Sequence, residues 1–232
     1  MRRLSTVLVL VLAPLTLPSL VPAAGQSVDF GTPGTSETNS FPFVTSDVDR
    51  YQQVYLGSYF GASPVNVYSM TFYSMMGGTT TIRPGVYDFY LSHTSDGVNG
   101  LGTDLAANIA SAQSFVASAT LSGAVAAGSP LTFVFTAPFL FDPGLGNLLL
   151  DVQIDRSGYP DLGQEQGFQA VYETGFTSRA WNYKGTPYAD GTPGATLGSG
   201  LVTTFATAPS SVVPEPATVL LLGTGLLGIG VM

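Results

Sequence analysis

The 232-residue chain has no cysteine and a single histidine, and only 9% of its residues are charged. An average soluble domain carries about 25% charge. Without cysteine there is no disulfide, no thiolate metal site and no cysteine nucleophile. One imidazole excludes a His-rich zinc centre, and any serine triad would have to use His93 as its base. No G-x-S-x-G nucleophile elbow occurs, and His93 closes a strand at a Ser-His-Thr-Ser-Asp turn, so it reads as a polar strand-end residue. Seven basic residues against fifteen acidic ones, net charge −8, exclude the electrostatic footprint of a nucleic-acid binder. What is present is 45% hydrophobic residues, enough for a real core, with 28 glycines and 16 prolines to punctuate it.

Both ends carry composition shifts. Residues 1–25 open with Met1-Arg2-Arg3, continue through an apolar run to about Leu20 and finish in Val-Pro-Ala-Ala-Gly. A basic start, an apolar stretch and small residues at the end make a secretory signal peptide, cleaved after Ala23 or Gly25. At the other end, a linker at 208–213 leads into Pro214-Glu215-Pro216 and then a charge-free Leu/Gly-rich run to Met232. That run is long enough to enter a bilayer, though shorter than the ~20 residues of a full span. Gly223, Gly225 and Gly228 match a dinucleotide fingerprint by accident, because the motif needs a long helix and an acid after it; small residues in a membrane helix account for them better.

Residues 214–232 closely resemble the PEP-CTERM sorting signal of Gram-negative bacteria, in which Pro-Glu-Pro precedes a terminal apolar helix. The family's usual closing basic cluster is missing here. The resemblance implies that an exosortase, a membrane protease-transpeptidase, recognises Pro214, Glu215 and Pro216 and processes the chain during export. Physically, two prolines hold the segment extended, as a protease requires, at the membrane interface.

Residues 26–207 read as one all-β ectodomain. In Asn147–Asp155, Leu148, Leu150, Val152 and Ile154 fall on one face and Leu149, Asp151, Gln153 and Asp155 on the other, the period-2 pattern of a half-buried strand. Similar runs predict strands over Arg50–Phe60, Val65–Tyr73, Val86–Ser92, Ser114–Leu121, Leu131–Thr136, Gly167–Glu173, Ser178–Tyr183 and Leu201–Thr207. Turn chemistry at Gly77-Gly78, Arg83-Pro84-Gly85, Asp96-Gly97, Gly128-Ser-Pro130, Asp142-Pro143-Gly144 and Thr192-Pro193-Gly194 separates them. The Ala/Leu spacing of Leu101–Ala112 predicts a short helix. About nine strands and no internal repeat imply a single β-sandwich of jelly-roll type. Asp49–Tyr55, the Thr94–Gly102 loop, Asn147–Val152 and Ser178–Tyr183 resemble the β-sandwich ectodomains often attached to PEP-CTERM tails, which implies a fold and no activity.

Three groups of residues are candidates for chemistry. Asp151 and Asp155 lie on one strand face about 13 Å apart, too far for a glycosidase pair, and read as a solvated face. Asp47 and Asp49 project two carboxylates the same way, with Asp142 or Asp161 able to join from other loops, the arrangement of a weak structural calcium site in a secreted β-sandwich; turn and capping roles are the other reading, and no other cofactor is expected. Arg179, Trp181 and Tyr183 alternate onto one face, with Tyr188 in the Gly-Thr-Pro loop beyond. Flat rings flanked by a guanidinium can stack on sugars, or the same rings can fill the core, as can a second row at Tyr51, Gln53, Tyr55 and Tyr59.

The sequence therefore leads to an exported, non-catalytic structural or adhesive protein of the outer surface or extracellular matrix. It is membrane-associated until an exosortase processes it. The family resemblance links it to exopolysaccharide and biofilm, with surface proteins as further partners. A secreted carbohydrate-binding module is the alternative.

Overall fold

The alternation read from the sequence is what the backbone adopts. The structure is a computed structural model that describes residues 25–45, 47–159, 167–191 and 198–210. Its strands are β1 (Gln26–Phe30), β2 (Thr38–Asn39), β3 (Val48–Tyr55), β4 (Val65–Tyr73), β5 (Thr80–Thr94), β6 (Ser114–Val125) and β7 (Pro130–Phe141). They continue as β8 (Asn147–Asp155), β9 (Phe168–Val171), β10 (Thr177–Tyr183), β11 (Thr186–Ala189), β12 (Gly200–Leu201) and β13 (Thr203–Pro209). All pairings are antiparallel. One sheet has the order β1-β13-β4-β7, a second β11-β10-β3-β8-β5-β6, and a small third β12-β9-β2.

The first two sheets face each other. Their inner side chains meet directly: the Phe89 and Phe133 rings lie 4.2 Å apart and those of Tyr55 and Phe205 4.9 Å apart. The expected β8 stripe of Leu148, Leu150, Val152 and Ile154 belongs to this core. So does the Tyr51, Gln53 and Tyr55 row, all fully buried, while Tyr59 is 49% exposed. The segment after β2 plugs one end with Phe43, packed among Phe72, Tyr87, Phe133 and Phe168. Two arginines fix that segment through carbonyl acceptors: Arg156 donates to Thr45 O, Val48 O and Pro42 O, and Arg83 Nε to Val44 O.

Five local expectations change. No helix forms over Leu101–Ala112, which is a series of turns. Leu101 and Leu105 instead pack on Val54, Leu149, Ala180 and Ala189 on the outer face of the six-stranded sheet. The buried Asn108 amide donates to Gln52 Oε1 and Gly102 O while accepting from Gly102 N–H, which competes with helical pairing. Asp151 is consequently not on a solvated face: this cover leaves it fully buried and paired with Arg50. The strand expected to reach Phe60 stops at Tyr55; Gly57–Phe60 is a 3-10 turn, and a Cβ at Gly57 would clash with the Gly146 carbonyl. Arg83-Pro84-Gly85 is no turn but an irregularity inside β5, where Arg83 N–H bonds Phe43 O instead of β6. At the C-terminal boundary, β13 runs to Pro209, and Ser210 bonds Pro64 O.

Candidate functional site

The aromatic candidates come together at one edge of the six-stranded sheet. Tyr183 and Thr186 pair across the two residues Lys184 and Gly185, both at positive φ (52° and 74°), the conformation of a type I′ hairpin turn. Tyr188 is therefore not in a loop. It lies on β11 directly opposite Trp181, whose other neighbour is Tyr51 on β3. The signal for this hairpin was a glycine in second place of a two-residue gap between strand-like runs.

The rings form a ladder that runs from the core outward. Trp181 stacks on Tyr188 at 5.6 Å and 17°, Phe41 approaches Trp181 at 5.4 Å and Tyr183 at 6.0 Å, and Lys184 Nζ sits 5.3 Å from the Tyr183 ring. Trp181 and Tyr183 are half-buried against the core, whereas Tyr188 is 40% exposed. Arg179 lies beneath rather than on this surface, 7% exposed, with its guanidinium carbon 4.7 Å from the Trp181 ring and 5.7 Å from Phe41. Its Nε is 3.7 Å from Asp190 Oδ1, while Asp190 Oδ2 accepts from the Arg179 and Ser199 N–H groups. Burial pushes the Asp190 carboxyl up, and Arg179 and these donors act against that shift. Core packing and surface display thus occupy the two ends of one ladder: Arg179 and Trp181 support, Tyr188 presents.

Asp47 and Asp49 each meet a side chain at the β10–β11 hairpin. Asp47 pairs with Lys184 Nζ at 3.6 Å, and Asp49 accepts from Asn182 Nδ2 at 3.2 Å. Asp142 accepts from Gly144 N–H, and Asp161 lies outside the described residues. Among the described residues no three His, Asp or Glu side chains are placed to hold one metal ion. His93 is more deeply engaged than a strand-end residue need be. Its Nε2 accepts from Asp142 N–H at 3.0 Å, its ring stacks on Phe141, and burial lowers its pKa. A hollow of about 640 Å³ on the outer face of the six-stranded sheet is bordered by Asp49, Arg50, Asp88, Asp104 and Asp155.

The signal peptide expected at 1–25, apart from Gly25, and the motif Pro214, Glu215 and Pro216 lie outside the described residues. Among the described residues, no helix is long and apolar enough to cross a membrane.

The described residues form an all-β ectodomain, and the sequence beyond them continues into a charge-free apolar run. The tail itself supplies the more particular identity: the chain carries the PEP-CTERM protein-sorting motif, matched over residues 212–232. The motif indicates export in a Gram-negative cell and an exosortase as the processing partner. No curated protein matches the chain significantly. Among solved structures, a chain of the T13 IBDV viral particle is similar at 10% identity over 94% of this chain and 52% of that one, with a TM-score of 0.25. The present chain thus spans about half that chain's length, and at this TM-score the likeness carries no argument.

Proposed function

We propose that the chain is a non-catalytic structural or adhesive component of the outer surface or extracellular matrix, released there from its membrane-anchored precursor. Exopolysaccharide and neighbouring surface proteins are its partners in this reading, and biofilm is its setting. The observation that carries it is the sorting motif at 212–232 on a β-rich ectodomain. The ectodomain is a jelly-roll-type sandwich in the same proposal. In its support, the connections β3–β4, β4–β5, β6–β7 and β7–β8 each pass from one large sheet to the other. The test replaces Pro214, Glu215 and Pro216 with alanine and compares mature masses and cell fractions. The native chain is expected trimmed at both ends outside the cell, and the variant retained as membrane precursor. Full-length native protein soluble in the cell interior overturns the proposal.

A second reading, a carbohydrate-binding module, is favoured by the Trp181–Tyr188 stack, because an exposed ring backed by a second ring is a rigid surface for a sugar face. Titration with a polysaccharide panel should change Trp181 fluorescence. Silence across the panel retires this reading.

A further inference from the structure

Charge is distributed unevenly over this molecule. No Asp, Glu, Lys or Arg occurs in residues 51–82, 105–141 or 191–214. Strands β4, β7 and β13 are therefore wholly uncharged, and the four-stranded sheet has only Asp29 on β1. One end of this uncharged sheet is also where the described chain ends. Pro209 pairs with Val65, which pairs with Phe141, and Ser210 N–H bonds Pro64 O. The two 3-10 turns Gly57–Phe60 and Pro143–Leu145 pack together at that end, joined by the contact of Phe60 with Phe141 at 4.7 Å. There the surface is apolar: Leu145 is 66% exposed, Leu140 55% and Tyr59 49%. Of the carboxylates nearby, Asp142 is turned onto Gly144 N–H, Asp96 borders the turns through its carbonyl on Asn147, and Asp29 precedes Phe30, on which Tyr59 stacks.

We propose that this end of the ectodomain lies against the lipid bilayer that holds the precursor's own apolar tail, with Leu140, Leu145 and Tyr59 at the headgroup boundary. The inference rests on the membrane-anchored reading of the tail. Nine residues lead from Ser210 to Val219, a reach of at most ~30 Å for extended chain, shorter than the ~40 Å of a twelve-residue strand. The tether therefore keeps this end, and not the opposite one, beside the membrane, at a high effective concentration. Burying three large apolar side chains at a lipid interface is favourable, and an uncharged sheet beside them adds no desolvation of ions. In this pose Trp181 and Tyr188 point away from the bilayer, because they lie towards the β10 end opposite Thr177, which pairs with Tyr55 next to the turn at Gly57. The precursor so held offers its aromatic edge outward.

The chain has no cysteine, so one introduced thiol gives one reporter. Full-length L145C and, as the opposite-end control, M76C (Met76 is 52% exposed between β4 and β5) are labelled with an environment-sensitive dye. Each is then reconstituted into phosphatidylethanolamine/phosphatidylglycerol vesicles. At position 145 a blue shift is expected, with quenching by headgroup-level spin-labelled lipid at least twice that at position 76. Equal, water-like emission at both positions in vesicle-bound protein overturns the docking and leaves the anchored tail intact. Failure of the protein to float with vesicles overturns both. Protection of position 145 in vesicle-free solution that rises with protein concentration shows a second copy covering the patch, which also overturns the proposal.

Discussion

Replacing Gln53 with leucine tests the interior most directly, because the change keeps the size of the side chain and removes only its polarity. Gln53 is fully buried between the sheets. Its Oε1 accepts from Tyr51 OH at 2.7 Å and Leu201 N–H at 2.9 Å, and its Nε2 donates to Leu201 O and Thr177 Oγ1. Two of these partners have other bonds: Leu201 O still accepts from Thr203 Oγ1, and Thr177 Oγ1 still donates to Val54 O. The Tyr51 hydroxyl loses its acceptor, while the Leu201 N–H also lies within reach of the Tyr51 oxygen. An orphaned buried group costs about 1–3 kcal/mol, so Q53L should cost roughly 1–3 kcal/mol of a total of order 5–15. At about 2–4 °C per kcal/mol for a chain of this size, the melting temperature should fall by on the order of 5 °C. Urea and thermal unfolding followed by the fluorescence of Trp181, the one tryptophan, measure both. Q26L, at an exposed position of β1, is the control and should stay within about 0.5 kcal/mol of the native protein. A Q53L protein that melts within about 2 °C of the native one refutes the reasoning.

Asp151→Asn should cost about 3 kcal/mol, since it strips the charge from a buried carboxylate that binds Arg50 at 2.9 and 2.6 Å and Gln113 at 2.8 Å. Chemical denaturation reads this, and a cost below about 1 kcal/mol contradicts it. Stability should fall as pH drops below about 6.5, the ordinary imidazole value. His93 has its folded pKa lowered mainly by burial, so the unfolded chain takes up the proton first. Asp190 contributes with the opposite sign at lower pH, because its folded pKa is raised; a His93→Phe variant whose profile keeps the fall near 6 rejects the assignment. Tyr188→Ala should weaken any glycan binding about 3–10-fold, the equivalent of one stacking contact, with the thermal midpoint preserved; unchanged affinity removes the ladder from the site. Millimolar calcium should leave the midpoint where it is, because Asp47 and Asp49 are engaged by Lys184 and Asn182, and a rise of several degrees would restore a loop calcium site.

The strands were legible wherever one face meets the core and the other meets water. Leu148, Leu150, Val152 and Ile154 announce β8 because a two-residue period has no other simple cause. The reading failed where a third element covers the outer face. Nothing local tells Leu101–Asn108 that Val54, Leu149 and Ala180 will lie beneath it, so its spacing is compatible with a helix and Asp151 reads as solvent-facing. Gln53 shows the same dependence on distant chain: glutamine enters a core only when partners far off in sequence, here Thr177 and Leu201, satisfy it.

Export is legible in the chain itself, because a sorting signal is read as a local segment and needs no fold: Pro214-Glu215-Pro216 and the apolar run behind it carry the motif. The aromatic edge needed tertiary structure. Arg179, Trp181 and Tyr183 are visible as an alternation on one strand, but which of the rings is support and which is surface depends on Phe41, Tyr51, Tyr188 and Asp190. Those residues arrive from other strands and loops, and burial is a property of that assembly rather than of any one segment.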